Sequence, residues 1–217
     1  MDLNEPGHHT EIKLAMRALL LESFWMPPPS VLTTLAMHAQ HLTSLALCQA
    51  GGAMPGYANR ALEELAPRLA HLTLLDPFKF VLPHPRLADH FPYRAPTSEI
   101  FSIKPFLASC TSLQTLRVVL PGGESIVLTL SCLTARLYQL VVLTRPDSSS
   151  GIDTSDLSDA LTLPSLEKLK VWAIASSCWR GSAEGDKKRW EEACRARGIE
   201  FEALDRCELF ARLHEWL

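Results

Sequence analysis

Several common markers of enzymatic chemistry are missing from this 217-residue chain. It has no P-loop and no dinucleotide-binding G-x-G-x-x-G, the two glycine-rich arrangements that cradle phosphates. No G-x-S-x-G nucleophile elbow occurs either; Gly122-Gly123-Glu124-Ser125 reads only as a turn that opens a helix. The six cysteines (Cys48, Cys110, Cys132, Cys178, Cys194 and Cys207) include no C-x-x-C pair, and no secretory leader pattern is visible. Both absences favour a reducing compartment, cytoplasmic or nuclear, with most cysteines acting as small buried apolar residues. Cys110, three residues before Leu113, has a natural buried place where a helix turns into a strand.

Charge of one sign is also lacking. With 21 Lys and Arg against 24 Asp and Glu, the net charge of −3 gives no basic surplus of the kind nucleic acid selects. Aromatic residues make up only 7%, so the core must be aliphatic. Residues Ile126 to Leu143 form the one long apolar stretch, close to the ~18 residues of a minimal membrane span. Arg136, Thr129, Ser131 and Thr134 interrupt it, and the reading is a buried helix followed by a buried strand, with no membrane partner. Metal ligands are sparse: His38 and His41 lie three apart with His71 further on, and no fixed ligand set accompanies them. No metal and no cofactor is expected, and no catalytic residue is assigned.

What is present is a recurring phrase, L-x-x-L-x-L or a close variant. It appears as Met16-Arg17-Ala18-Leu19-Leu20-Leu21, Leu42-Thr43-Ser44-Leu45-Ala46-Leu47 and Leu72-Thr73-Leu74-Leu75. It returns as Leu113-Gln114-Thr115-Leu116-Arg117-Val118, Leu137-Tyr138-Gln139-Leu140-Val141-Val142 and Leu166-Glu167-Lys168-Leu169-Lys170-Val171. The steps between first positions are 26, 30, 41, 24 and 29 residues, roughly one strand plus one helix. A unit that short cannot bury its own apolar face and must stack on its neighbours. A seventh, weaker unit is expected at Gly198-Ile199-Glu200-Phe201-Glu202.

A helix precedes each phrase. Ser30 is the expected cap of one helix running through Val31, Leu32, Leu35 and Ala39, after Pro27-Pro28-Pro29. Ala58, Leu62, Leu65 and Leu69 mark one face of a second. A third opens at Ser98-Glu99-Ile100 and runs to about Ser109, with Pro105 shortening or kinking it. A short helical turn spans Asp153 to Leu161. Asp186 to Arg197 forms a charged helix with Trp190, Ala193 and Cys194 inward, stopped by Gly198. Strands joined through helices run parallel. The prediction is therefore one α/β domain over 1–217: an irregular repeat solenoid with a parallel sheet on the concave side and helices on the convex side. Residues 1–13 form a short tail, 83–98 a proline-rich inserted loop, 145–159 a Ser/Asp-rich loop and 186–217 a C-terminal capping segment.

These phrases, with boundary pairs such as His41-Leu42-Thr43, His71-Leu72-Thr73, Ser112-Leu113 and Ser165-Leu166, resemble the leucine-rich repeat family in its ribonuclease-inhibitor-like form. The segment Lys188 to Ile199 is similar to the C-terminal end of fungal F-box leucine-rich repeat proteins. That resemblance implies a substrate receptor for a cullin-type ubiquitin ligase, with the ligase adaptor as a partner. The asparagine of regular repeats is missing, as is any L-P-x-E-(I/L) F-box segment, so the expectation is the C-terminal part of a longer architecture or a truncated relative.

In a repeat strand, residues between the anchor leucines point away from the core. Taken in the frame above, the outward face has an apolar centre of Phe78, Val119, Val141, Leu143 and Trp172. Asp76, Arg117, Lys168 and Lys170 edge it, and Trp172 and Arg117 are residue types enriched at interface hot spots. The expected function is non-catalytic recognition of a protein partner through these nine residues. Two other readings stay open: a structural scaffold or repeat fragment without a partner of its own, and an α/β hydrolase lacking a recognised motif.

Overall fold

The computed structural model describes residues 17–22, 28–48, 58–75, 103–120, 127, 130–144, 160–175 and 183–204. They form an α/β arrangement around one seven-stranded sheet. The strands are β1 (Ala18–Glu22), β2 (Ser44–Cys48), β3 (His71–Leu75), β4 (Thr115–Leu120), β5 (Gln139–Thr144), β6 (Val171–Ala175) and β7 (Glu200–Leu204). Their order in the sheet is their order in the chain, and every pairing is parallel. Helices α1 (Pro29–His38), α2 (Ala58–Leu65), α3 (Ile103–Ser109) and α4 (Ala183–Ala196) lie between strands, as parallel neighbours require. Helix α1 packs beside α2, and α2 beside α3.

The register follows the recurring phrase. Leu19, Leu45, Leu72, Leu116, Leu140, Trp172 and Phe201 are partners along one row across all seven strands. Two residues on, Leu21, Leu47, Leu74, Val118, Val142 and Ile174 make a second row and are all buried, while its β7 member, Ala203, is exposed. In the first row only the end members, Leu19 and Phe201, are partly exposed, because an edge strand has a neighbour on one side only. Both rows share one core with Leu32 and Ala36 of α1, Leu62 and Leu65 of α2, and Phe106 of α3.

Two sets of hydrogen bonds hold the units in step. Just ahead of each of the first five strands, one carbonyl accepts two N–H groups from the next unit. Arg17 O takes Thr43 and Ser44, Thr43 O takes Ala70 and His71, and Ala70 O takes Gln114 and Thr115. Gln114 O and Tyr138 O continue the series. On the helix side, polar side chains reach back to carbonyls of a preceding unit. Arg68 donates to Ala36 O (2.6 Å) and Ala39 O (3.5 Å) at the end of α1. Thr134 donates to Ala108 O (2.8 Å), Ser165 to Leu130 O (3.3 Å) and Arg197 to Leu161 O. Ala39 O and Leu130 O also accept the backbone N–H groups of Leu42 and Leu133, so there the side chain is a second donor.

The helix ends follow local chemistry, with one correction. Helix α1 starts at Pro29, a favoured first position because its missing N–H is not needed there. Ser30 is therefore inside the helix rather than its cap, and its carbonyl accepts from Thr34 Oγ1. Helix α3 begins at Ile103, which puts Pro105 in its first turn; residues 98–100 lie outside the described residues. Ala58, Leu62, Leu65 and Leu69 are buried as their spacing predicts, and so is Cys110. Helix α4 stops at a Schellman turn: Ile199 N–H donates to Cys194 O, Gly198 N–H donates to Arg195 O, and Gly198 takes φ 68°. Among the described residues no helix is long and apolar enough to cross a membrane.

The larger correction is one of frame. In units three and six the phrase runs three residues away from where the sequence reading placed it. Leu69-Ala70-His71-Leu72-Thr73-Leu74 aligns with Leu113 to Val118, and Leu169-Lys170-Val171-Trp172-Ala173-Ile174 aligns with Leu137 to Val142. Leucines three apart allow both frames. Leu166, the mistaken anchor, instead ends a 3-10 turn, where it is buried with Ser165.

The shared rows lead to a direct expectation. In urea unfolding, Leu140→Ala should cost about 2–5 kcal/mol, whereas Tyr138→Ala, two residues earlier and 57% exposed, should stay within about 0.5 kcal/mol.

Candidate functional site

With the aliphatic rows turned to the core, the alternate positions define the other face of the sheet. One row there runs Ala18, Ser44, His71, Thr115, Gln139, Val171, Glu200. The next runs Ala46, Thr73, Arg117, Val141, Ala173, Glu202. Exposure divides this face. Ser44, His71, Arg117, Gln139, Val171 and Glu202 are half-buried, whereas Thr73, Thr115, Val141 and Ala173 are buried.

The nine predicted interface residues separate accordingly. Arg117 and Val141 are on this face as expected and are direct partners in neighbouring strands. Val141 and Leu143 are each only 1% exposed, so the anticipated apolar centre is closed at both positions. Val119 lies in β4 opposite Leu143. Phe78 and Asp76 lie outside the described residues. Lys168 and Lys170 are exposed and precede β6, with Lys170 O accepting from Glu200 N–H.

Trp172 is not on this face at all. The three-residue frame shift places it in the row of Leu140, fully buried, with its ring against Trp190 of α4. The two rings meet edge-on at 83° with centroids 4.6 Å apart, the arrangement favoured by aromatic quadrupoles. Neither buried indole N–H has an acceptor among the described residues. Trp172 is a core residue, and a charge at that position is a folding lesion rather than an interface probe.

His71 and Thr73 are the residues that the sequence frame omits. Taking Leu69 as the anchor of unit three would have assigned both to the outward face. His71 sits diagonally from Arg117, since His71 pairs with Thr115 and Thr73 with Arg117. Burial, and then the charge of Arg117, lower the His71 pKa below its ordinary 6.5. Burial likewise lowers that of Arg117. His71 Nδ1 is buried without a hydrogen-bond partner among the described residues.

The chemistry available elsewhere is limited. Burial pushes the thiols of Cys110 and Cys194 up to about 12, and in Cys194 Arg197 offsets this only in part. Neither is a nucleophile near neutral pH, because the thiolate is the reactive form. His38, which ends α1, and His41, in the turn after it, are exposed, and among the described residues no group of three metal-binding side chains occurs. No family model matches the chain, and no curated protein or solved structure matches it.

Two measurements follow. Brief alkylation of the native protein at pH 8 should spare Cys110 and Cys194 while modifying half-buried Cys132; mass spectrometry after unfolding should find both spared thiols newly reactive. Stability should fall as pH drops below 6.5, because the unfolded chain takes up a proton at His71 that the folded chain resists. Urea midpoints for wild type and His71→Gln between pH 7.5 and 5.5 should converge on acidification; parallel curves would contradict the assignment.

Proposed function

We propose that the chain is an irregular leucine-rich repeat solenoid whose outward sheet face recognises a protein partner without catalysis. The observation that carries this reading is the strictly sequential, in-register order of seven parallel strands. Each of β2 to β6 brings one residue to the row Ser44, His71, Thr115, Gln139, Val171, which is half-open at every position but Thr115. A face assembled one position per unit is an extended surface whose chemistry varies along its length, which suits the reading of another protein. Its more specific form is the substrate-receptor role in a cullin-type ligase that the sequence resemblance implies.

A second reading, a scaffold whose outward face is filled, is favoured by the burial of Val141, Leu143 and Ala173. The two readings separate on half-open positions. The double variant Ser44→Arg/Gln139→Arg should lose a partner captured from native lysate, while Thr34→Arg on the exposed side of α1 should keep it. Circular dichroism should be unchanged in both. Capture of the same proteins by wild type and both variants would defeat the recognition reading, and a cullin adaptor in the wild-type set would support its ligase form.

A further inference from the structure

The residue three places ahead of each strand from β2 to β7 is, in turn, His41, Arg68, Ser112, Arg136, Lys168 and Arg197. All but Ser112 are basic, and none is acidic. The strands pair in register, so these positions follow one another along the edge of the sheet where the strands start, roughly 4.8 Å apart. Arg68 is turned to the carbonyls that end α1, and Ser112 interrupts the row. Arg136, Lys168 and Arg197 are consecutive and exposed, and Lys170, two residues after Lys168, adds another exposed cation.

Tyr138 stands among these charges, its carbonyl accepting from Lys170 N–H at 2.9 Å. Its ring is one of the few large apolar groups exposed among the described residues; the others, Val31 and Met37, belong to α1. The cations are only partly answered. Glu167 meets Arg136 at 3.2 Å with both side chains more than half exposed, and Arg197 donates one N–H to Leu161 O. Lys168 and Lys170 form no ion pair among the described residues. Like charges this close act within the ~8 Å screening length of physiological salt, so an anion that settles between them relieves their repulsion.

We propose that the strand-start edge of the last three units is a docking surface for a short acidic segment of another protein. Its carboxylates meet Lys168, Lys170, Arg136 and Arg197, and an apolar side chain rests on Tyr138. A continuous phosphate backbone fits less well, because Glu167 and the exposed Glu200 at the start of β7 would repel it and the chain carries a net charge of −3. This edge is separate from the outward face and does not depend on the recognition role proposed for it.

The test is fluorescence anisotropy of labelled hexaglutamate and hexaglutamine peptides titrated with the full chain. Hexaglutamate should bind saturably, and hexaglutamine at least about tenfold more weakly. Lys168→Gln/Lys170→Gln should weaken hexaglutamate binding at least about fivefold. Arg60→Gln/Lys104→Gln, which removes two exposed cations from α2 and α3, should bind as wild type does. Equal weakening by the two double variants overturns the proposal, as does tighter binding of a thymidine hexanucleotide than of hexaglutamate. Equal response to the two peptides, or no saturable binding by wild type, overturns it even if a variant fails to fold. Since the probe is a peptide rather than a captured partner, recognition by the outward face can hold or fail without changing this outcome.

Discussion

A strand of five or six residues with two aliphatic side chains on one face cannot bury them within its own unit. Everything else in this structure depends on that constraint. Leu45 and Leu47 leave water only because the rows of β1 and β3 flank them and α1 and α2 cover them, and the same holds at each interior strand. Apolar burial of about 25 cal/mol per Å² is therefore realised between units rather than inside them. Loss of one row member is felt on both sides.

Aliphatic rows alone fix neither spacing nor alignment, and polar groups supply both. The shared carbonyl ahead of each of the first five strands receives two N–H groups from the next unit, which fixes where the next strand begins. Arg68, Thr134, Ser165 and Arg197 do the equivalent work on the helix side by satisfying carbonyls of an earlier unit. Toward the C-terminal end the row changes character: Trp172 follows five leucines, and α4 meets it with Trp190. Larger side chains there fill the space between sheet and helix where the last two strands are reached.

The outward face is governed by the same alternation but has no repeated chemistry. It changes from Ser44 and Ala46 through His71, Thr73, Thr115 and Arg117 to Val141, Ala173 and Glu202. Cationic character is concentrated at its middle, and carboxylates stand in the two outer strands, Glu22 in β1 and Glu200 and Glu202 in β7. This uneven surface lies on the side of the sheet opposite the uniform aliphatic interior.

Strand content, parallel order, helix faces and the glycine stop at Gly198 were legible because each rests on local spacing. Period-two alternation marks strands, spacings of three and four mark helices, and a left-handed residue marks a helix end. Arg117 and Val141 were placed correctly for that reason. What local spacing could not decide was which leucine anchors a unit when two lie three residues apart. Leu69 and Leu72, or Leu166 and Leu169, satisfy the phrase equally, and only pairing with Leu116 or Leu140 selects between them. A shift of three, an odd number, moves every side chain to the opposite face. That is why Trp172 belongs to the core, and why His71 and Thr73 surface beside Arg117. Burial of Val141 and Leu143 was equally out of reach, because it depends on what the folded chain brings over the sheet. Local spacing along the chain sets the periodicity and the composition of the layers; pairing between units sets the frame, and with it which side chains meet solvent.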